Sequence, residues 1–161
     1  MLKRIAIYGS EQAWVRRVVM STPVTRQVAL RFVAGGDLAA GLATARALNA
    51  RGIGASLNYL GMHERDEGQA KAAADEAVKA VRQIGTQGLD AHISVKLTRV
   101  GLDIDEDFCR DQLNRIAESA ADAGVFVRID MEESPYVSRI LRLFNEQLDR
   151  HGPDAVGIVL Q

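Results

Sequence analysis

The sequence has 161 residues, 47% hydrophobic and 25% charged, with 20 Lys and Arg against 21 Asp and Glu for a formal charge of −1. A chain of that size and apolar content builds one domain with a true core, is not intrinsically disordered, and lacks the basic excess that neutralises a phosphate backbone, so no nucleic-acid partner is expected. Its single cysteine, Cys109, allows neither an internal disulfide nor a thiolate cluster, no stretch reaches the roughly 20 apolar residues of a bilayer span, and no signal-peptide pattern opens the chain; the reading is a soluble, cytoplasmic protein.

Residues 1–36 read as a helical lead. Trp14, Val15, Val18 and Val19 recur at helical spacing, Pro23 interrupts, and an apolar series from Val24 to Val33 runs into the breaker Gly35-Gly36. From residue 37 to 161 a second region begins, with Asp37 as N-cap of a helix carrying Leu38, Leu42, Ala45 and Leu48 on one face. A unit then repeats: a helix, a glycine that closes it, a short apolar run, and polar residues where the run ends. Gly52 precedes Ile53–Tyr59, Gly88 precedes Ala91–Leu97, Gly124 precedes Val125–Asp130, and Gly152 precedes Val156–Gln161. The intervening helices place Ala73, Ala77, Ala80 and Val81 inward in the second, Leu113, Ile116 and Ala120 in the third, and Ile140, Leu141, Phe144 and Leu148 in the fourth. Asp103 with Glu106 suggests a capping box, and Ser134-Pro135 an N-cap with proline at N1.

Strands alternating with helices predict α/β architecture and a parallel sheet. Four strands are visible, the last ending on the final residue. Such an edge is ordinarily covered, so the expectation is a partial (βα)8 TIM-like barrel, preceded by N-terminal helices, that completes itself with a C-terminal half-barrel or a second chain.

Ligands of parallel α/β folds bind where strands end, because the following loops point there. Those positions hold Asn58 and Tyr59, Lys96 and Thr98, Asp130 and Glu132, and Gln161. A lysine and an aspartate in strands of Val, Ile and Leu each need compensation, either as an ion pair or in a ligand site. An ammonium, a carboxylate and an amide together suit a small charged molecule.

Arg31-Phe32-Val33-Ala34-Gly35, Asn58-Tyr59-Leu60-Gly61, Ser94-Val95-Lys96-Leu97-Thr98 with Gly101-Leu102-Asp103, Arg128-Ile129-Asp130-Met131-Glu132, and Gly157-Ile158-Val159-Leu160-Gln161 follow one another in the order of bacterial monofunctional proline dehydrogenase, which the chain resembles from about Arg31 to its end. The resemblance implies a distorted barrel that binds FAD and oxidises L-proline to Δ1-pyrroline-5-carboxylate, passing electrons to a membrane quinone or another acceptor. It implies Lys96 as the residue that binds the substrate carboxylate, Asp130 as the catalytic residue beside substrate and flavin, and Gln161 with Asp130 as cofactor-binding residues. Three positions depart from the family pattern: Asn58 stands where Asp is usual, Met62 where Glu is usual and, more mildly, Glu133 where Asp is common. The family's second half, with its phosphate-binding and arginine-bearing elements, has no counterpart in these residues, so the chain alone is expected to be inactive. The alternative is a truncated or degenerate half-barrel that binds a partner or itself without turnover.

Other features carry less. Gly35, Gly36 and Gly41 lack dinucleotide-fingerprint spacing. His63, His92 and His151 are scattered without metal-ligand spacing, so no metal site is expected and surface or loop positions are the default. Cys109 sits among Asp105, Glu106, Asp107 and Asp111, whose charge should raise its pKa. Trp14 with Arg16-Arg17 is the candidate peripheral contact with the inner face of a bacterial membrane.

Overall fold

The computed structural model describes residues 33–59 and 66–160. Most of the predicted helical lead, with Trp14 and Arg16-Arg17, lies outside them, as do Met62, His63, Glu64 and Gln161. The chain divides into two compact units, Met1–Gly41 and Leu42–Gln161. In the first, residues 33–41 enter helix α1 (Leu38–Asn49) behind Asp37, whose Oδ1 accepts from the Ala40 amide at 2.9 Å, the predicted cap.

In the second unit the alternation inferred from the glycines is present. After α1 come β1 (Ala55–Asn58), α2 (Glu67–Thr86), β2 (Ala91–Val95), a 3₁₀ turn (Leu97–Val100), α3 (Glu106–Ala123), β3 (Val127–Asp130), a second 3₁₀ turn (Ser134–Tyr136), α4 (Val137–His151) and β4 (Val156–Val159). The sheet is fully parallel in the order β1-β2-β3-β4, so each strand lies beside its sequence neighbour and each connection is a crossover through a helix. Gly124 shows how the reversals are made. Its left-handed φ of 64° closes α3, its amide donates to the Ala120 and Ala121 carbonyls, and the chain turns at once into β3.

Strands are shorter than the apolar runs that predicted them. The run Ala91–Leu97 leaves the sheet after Val95, because Leu97–Val100 winds into a 3₁₀ turn in which the Arg99 amide donates to the Lys96 carbonyl at 3.1 Å. Two helix starts are also displaced. Gly101, at φ 109°, makes a tight turn whose carbonyl receives the Ile104 and Asp105 amides at 2.9 and 3.0 Å. That turn delays α3, so Asp105 rather than Asp103 caps it, accepting from the Phe108 amide at 2.8 Å. Asp103 instead receives the Tyr136 hydroxyl at 3.1 Å. Ser134-Pro135 opens a 3₁₀ turn, not the helix, and α4 begins at Val137 without a side-chain cap.

The core lies between one face of the sheet and the helices. Ile93, Val95, Val127, Ile129 and Val156 are buried on the sheet side. Facing them are Ala70, Ala74, Ala80, Val81 and Ile84 of α2, Leu113, Ile116, Ala117 and Ala120 of α3, and Ile140 and Leu143 of α4. Full burial of each large aliphatic side chain stabilises the fold by roughly 1.5–3 kcal/mol. Two predicted faces are rotated. In α4 the buried residues are Ile140, Leu143 and Gln147, while Leu141, Phe144 and Leu148 are half-buried. In α2, Ala70 and Ala74 are buried and Ala73 and Ala77 only partly so.

Outside, α3 and α4 are tied by charge. Glu106 accepts from Arg139 Nε at 3.0 Å and Arg142 Nε at 2.8 Å, and Arg110 Nε donates to Glu146 at 2.7 Å. The Arg139 hydrogen bond, ahead of that from Arg142, holds the Glu106 carboxyl below its ordinary range. No helix among the described residues is long and apolar enough to cross a membrane.

Candidate active site

Side chains alternate between the two faces of a strand, so register decides which polar residues meet. Asn58 pairs with Ser94, Ser94 with Arg128, and Arg128 with Gly157, one row across all four strands. Asp130 lies two residues beyond Arg128, beside Val159, and Lys96 two residues beyond Ser94. Asn58, Ser94, Lys96 and Asp130 therefore share the face opposite the apolar core, at the carboxyl ends of their strands.

There they converge on one carboxylate. Asp130, 9% exposed, accepts from Asn58 Nδ2 on Oδ2 at 3.2 Å and from the Ser94 hydroxyl on Oδ1, and Lys96 Nζ lies 3.7 Å from Oδ2. A buried unpaired carboxylate is strongly destabilising, and this one is compensated from β2 beside it and from β1 beyond. The Lys96 side chain is 42% exposed, so its ammonium keeps much of its water and the ion pair is energetically modest. The cluster thus offers an accessible cation beside a fixed acceptor, the complement of a small zwitterion.

Two further contacts hold the rim. The Thr98 amide donates to Glu132 Oε1 at 3.1 Å and its hydroxyl to Oε2, which joins the turn after β2 to the exit of β3. Arg99, buried, donates from Nη1 to the Tyr59 carbonyl at 2.6 Å and stacks its guanidinium 4.5 Å from the Tyr59 ring centroid. That leaves Tyr59 59% exposed with one ring face backed by a cation.

Below the cluster the same sheet face is filled by rings. His92 meets Phe126 edge-on at 5.8 Å, and Phe126 occupies the space over Gly157, where a Cβ would clash with its Cζ. His92 is accordingly no loop or surface residue. It lies in β2, half-buried, and burial, with the Arg128 charge and against Asp90, lowers its pKa from the ordinary histidine value. His151 closes α4, also half-buried. Cys109 is buried in α3 with Sγ 3.6 Å from the Leu97 carbonyl, and burial, more than its acidic neighbours, pushes the thiol up to about 12. No cluster of metal-ligating side chains occurs among the described residues.

Of the expected site residues, Lys96 and Asp130 are brought together, and Gln161 lies outside the described residues. Ser94 was not singled out from sequence, and Asn58 stood out only as a strand-end amide and a departure from the family pattern. The available signal was the two-residue spacing of Ser94 and Lys96, which puts both on one face.

A proline dehydrogenase family model matches residues 41–161. Proline dehydrogenase 1 of Bacillus subtilis subsp. natto is 32% identical over 146 residues, 91% of this chain and 48% of the relative. Proline dehydrogenase of Deinococcus radiodurans is 31% identical over 137 residues, 83% of this chain and 44% of the relative. Among solved structures, proline utilization A of Bdellovibrio bacteriovorus inactivated by N-propargylglycine superposes with a TM-score of 0.74 at 18% identity, over 85% of this chain and 17% of that one. The α/β unit of four parallel strands is thus similar in fold to part of that protein, and the chain spans about half the length of the curated relatives it matches. With a family model covering residues 41–161 and relatives aligned along most of its length, the chain belongs to the proline dehydrogenase family.

Proposed function

We propose that this chain forms part of a flavin-dependent site that oxidises L-proline to Δ1-pyrroline-5-carboxylate. The observation that carries the reading is the pairing of a solvated Lys96 ammonium with a buried, hydrogen-bonded Asp130 carboxylate at adjacent strand ends. Proline bears one carboxylate and one ring amine, and a cation beside an acceptor complements both. Lys96, a point charge on a flexible stem, binds the carboxylate. Asp130, an acceptor when ionised, takes the hydrogen bond of the ring amine and orients the carbon next to nitrogen. Oxidation removes a hydride from the ring carbon next to nitrogen that does not bear the carboxylate, its two electrons going to the flavin, and releases the nitrogen proton to water. Asp130 lowers the energy of the positive charge that develops on nitrogen as the hydride leaves.

The strand-end residues suit a flavin ring. Tyr59 offers an exposed aromatic face, and Asp130 offers an acceptor at the end of β3. Gln161, at the end of the β4 run, is the proposed ring contact. FAD, when bound, supplies the two-electron acceptor, and the electrons pass on to a quinone or another acceptor. Because the chain spans about half of its relatives, we also propose that it works with a complementary half-barrel and is inactive alone.

The test is proline-dependent reduction of a dye by the chain with FAD, alone and co-expressed with the C-terminal half of Bacillus subtilis proline dehydrogenase 1. Turnover is expected only in the combined form, with Lys96→Met raising the KM for proline about tenfold or more, the cost of one lost charge-assisted contact, while flavin stays bound. Flavin loss in that variant would show that Lys96 holds cofactor instead, and an unchanged KM would remove it from the site. Turnover by the chain alone would overturn the need for a second half.

A further inference from the structure

Asp130 is supported by two kinds of neighbour. Asn58 on β1 and Ser94 on β2 are neutral donors, one to each carboxylate oxygen. Lys96, beyond the end of β2, is a cation at 3.7 Å, outside ordinary hydrogen-bond distance. From β4, Val159 lies in register beside Asp130 and adds no charge. Lys96 forms an ion pair with this carboxylate, and Arg128, two residues earlier on β3, shares its face of the sheet.

The asymmetry matters when a ligand arrives. If Lys96 alone compensated Asp130, drawing the ammonium toward an incoming anion would strand a buried carboxylate, at a cost that would cancel the gain. Two neutral donors remove that conflict, because they stay in place when the ammonium moves. Asn58 and Ser94 are in register with each other, so the backbone pairing of β1 and β2 fixes the spacing of the two donors before any ligand binds.

We propose that Asn58 and Ser94 are positioning residues that hold the Asp130 carboxylate in place without help from Lys96, which frees the ammonium to take a ligand carboxylate. This rests on the reading of Lys96 given above, although the cradle itself can be tested with neither proline nor flavin present.

The experiment follows the Asp130 side-chain carboxyl signal by carbon NMR at neutral pH in the 161-residue chain, with Asp130→Asn for assignment. In the double variant Asn58→Ala/Ser94→Ala the Asp130 signal should move and broaden, because the carboxylate has lost the donors that fix it. In Lys96→Met it should move by less than half as much. A Lys96→Met displacement equal to or larger than that of the double variant would overturn the proposal, and so would a double variant whose signal matches the wild type. Should the double variant lose its helical circular dichroism, Asn58→Ala alone makes the same comparison with Lys96→Met, since Asn58 is exposed at a strand end and its removal leaves the core untouched. The expected signals with no proline oxidation in the combined enzyme would sink the substrate assignment alone. Proline oxidation with a Lys96-dominated signal would sink the cradle alone.

Discussion

The two faces of the sheet are made from the same strands, yet they answer to different rules. On one face Ile93, Val95, Val127, Ile129 and Val156 are buried under helices, as a parallel sheet requires. On the other, alternate residues of the same strands are Asn58, His92, Ser94, Arg128 and Asp130, half-exposed or held by hydrogen bonds. A strand buried on both faces reads as an unbroken apolar run, whereas these read as alternation. The lesson is that one face supplies the packing and the other gathers the charged and hydrogen-bonding groups, and a single residue of register slip would exchange them.

That division can be broken by substitution. Ile129→Ala, on the buried face, should lower the unfolding free energy by about 3 kcal/mol in urea denaturation, the cost of a cavity at a fully enclosed site. Ser94→Ala, from the neighbouring strand but the opposite face, should cost less, about 1.5 kcal/mol, the low end for a hydrogen bond to a charged group that keeps a second donor. Equal costs would mean that the polar face is as structural as the apolar one.

A smaller effect tests the layer between core and site. Gly157→Ala puts a methyl group into the Phe126 ring and should destabilise by about 1–3 kcal/mol. Adding Phe126→Leu should recover part of the loss, because the smaller side chain vacates that space. No recovery would show that the ring is not what excludes a Cβ at 157.

The smallest effect concerns His92. Its folded-state pKa is lowered, chiefly by burial, so the neutral ring is favoured in the fold and the unfolded chain takes up the proton first as pH falls. Stability should therefore drop as pH decreases from about 6.5 toward the folded value and stay level above it. The difference between wild type and His92→Gln in urea midpoints from pH 5 to 8, roughly the histidine range, isolates this contribution. A wild-type curve parallel to that of the variant would place His92 in water.

Much of this was legible in the sequence, for physical reasons that also mark where legibility ended. Glycines at 88 and 124 closed helices before apolar runs, and that punctuation is local, so the βα order could be read directly. Lys96 and Asp130 stood out because charges in apolar strands demand compensation. Their partners did not stand out, since whether Ser94 or Thr98 reaches Asp130 depends on the pairing of strands more than thirty residues apart. The cap at Asp105 was missed for the same kind of reason: the turn at Gly101 consumes residues that otherwise begin a helix. In α4 the inward face was misassigned because Gln147 is buried through its hydrogen bond to Asn114 of α3, a contact that apolar periodicity does not register.

The stack of Arg99 beneath Tyr59 has a consequence for anyone who would re-engineer the mouth of this sheet. The guanidinium sits in the turn after β2 and grips both the ring and the carbonyl of the residue that leaves β1. Two excursions that look independent along the chain therefore spring from a common footing. They should be transplanted between homologues as one cassette, since exchanging either alone leaves the other's anchor facing an ill-fitting neighbour.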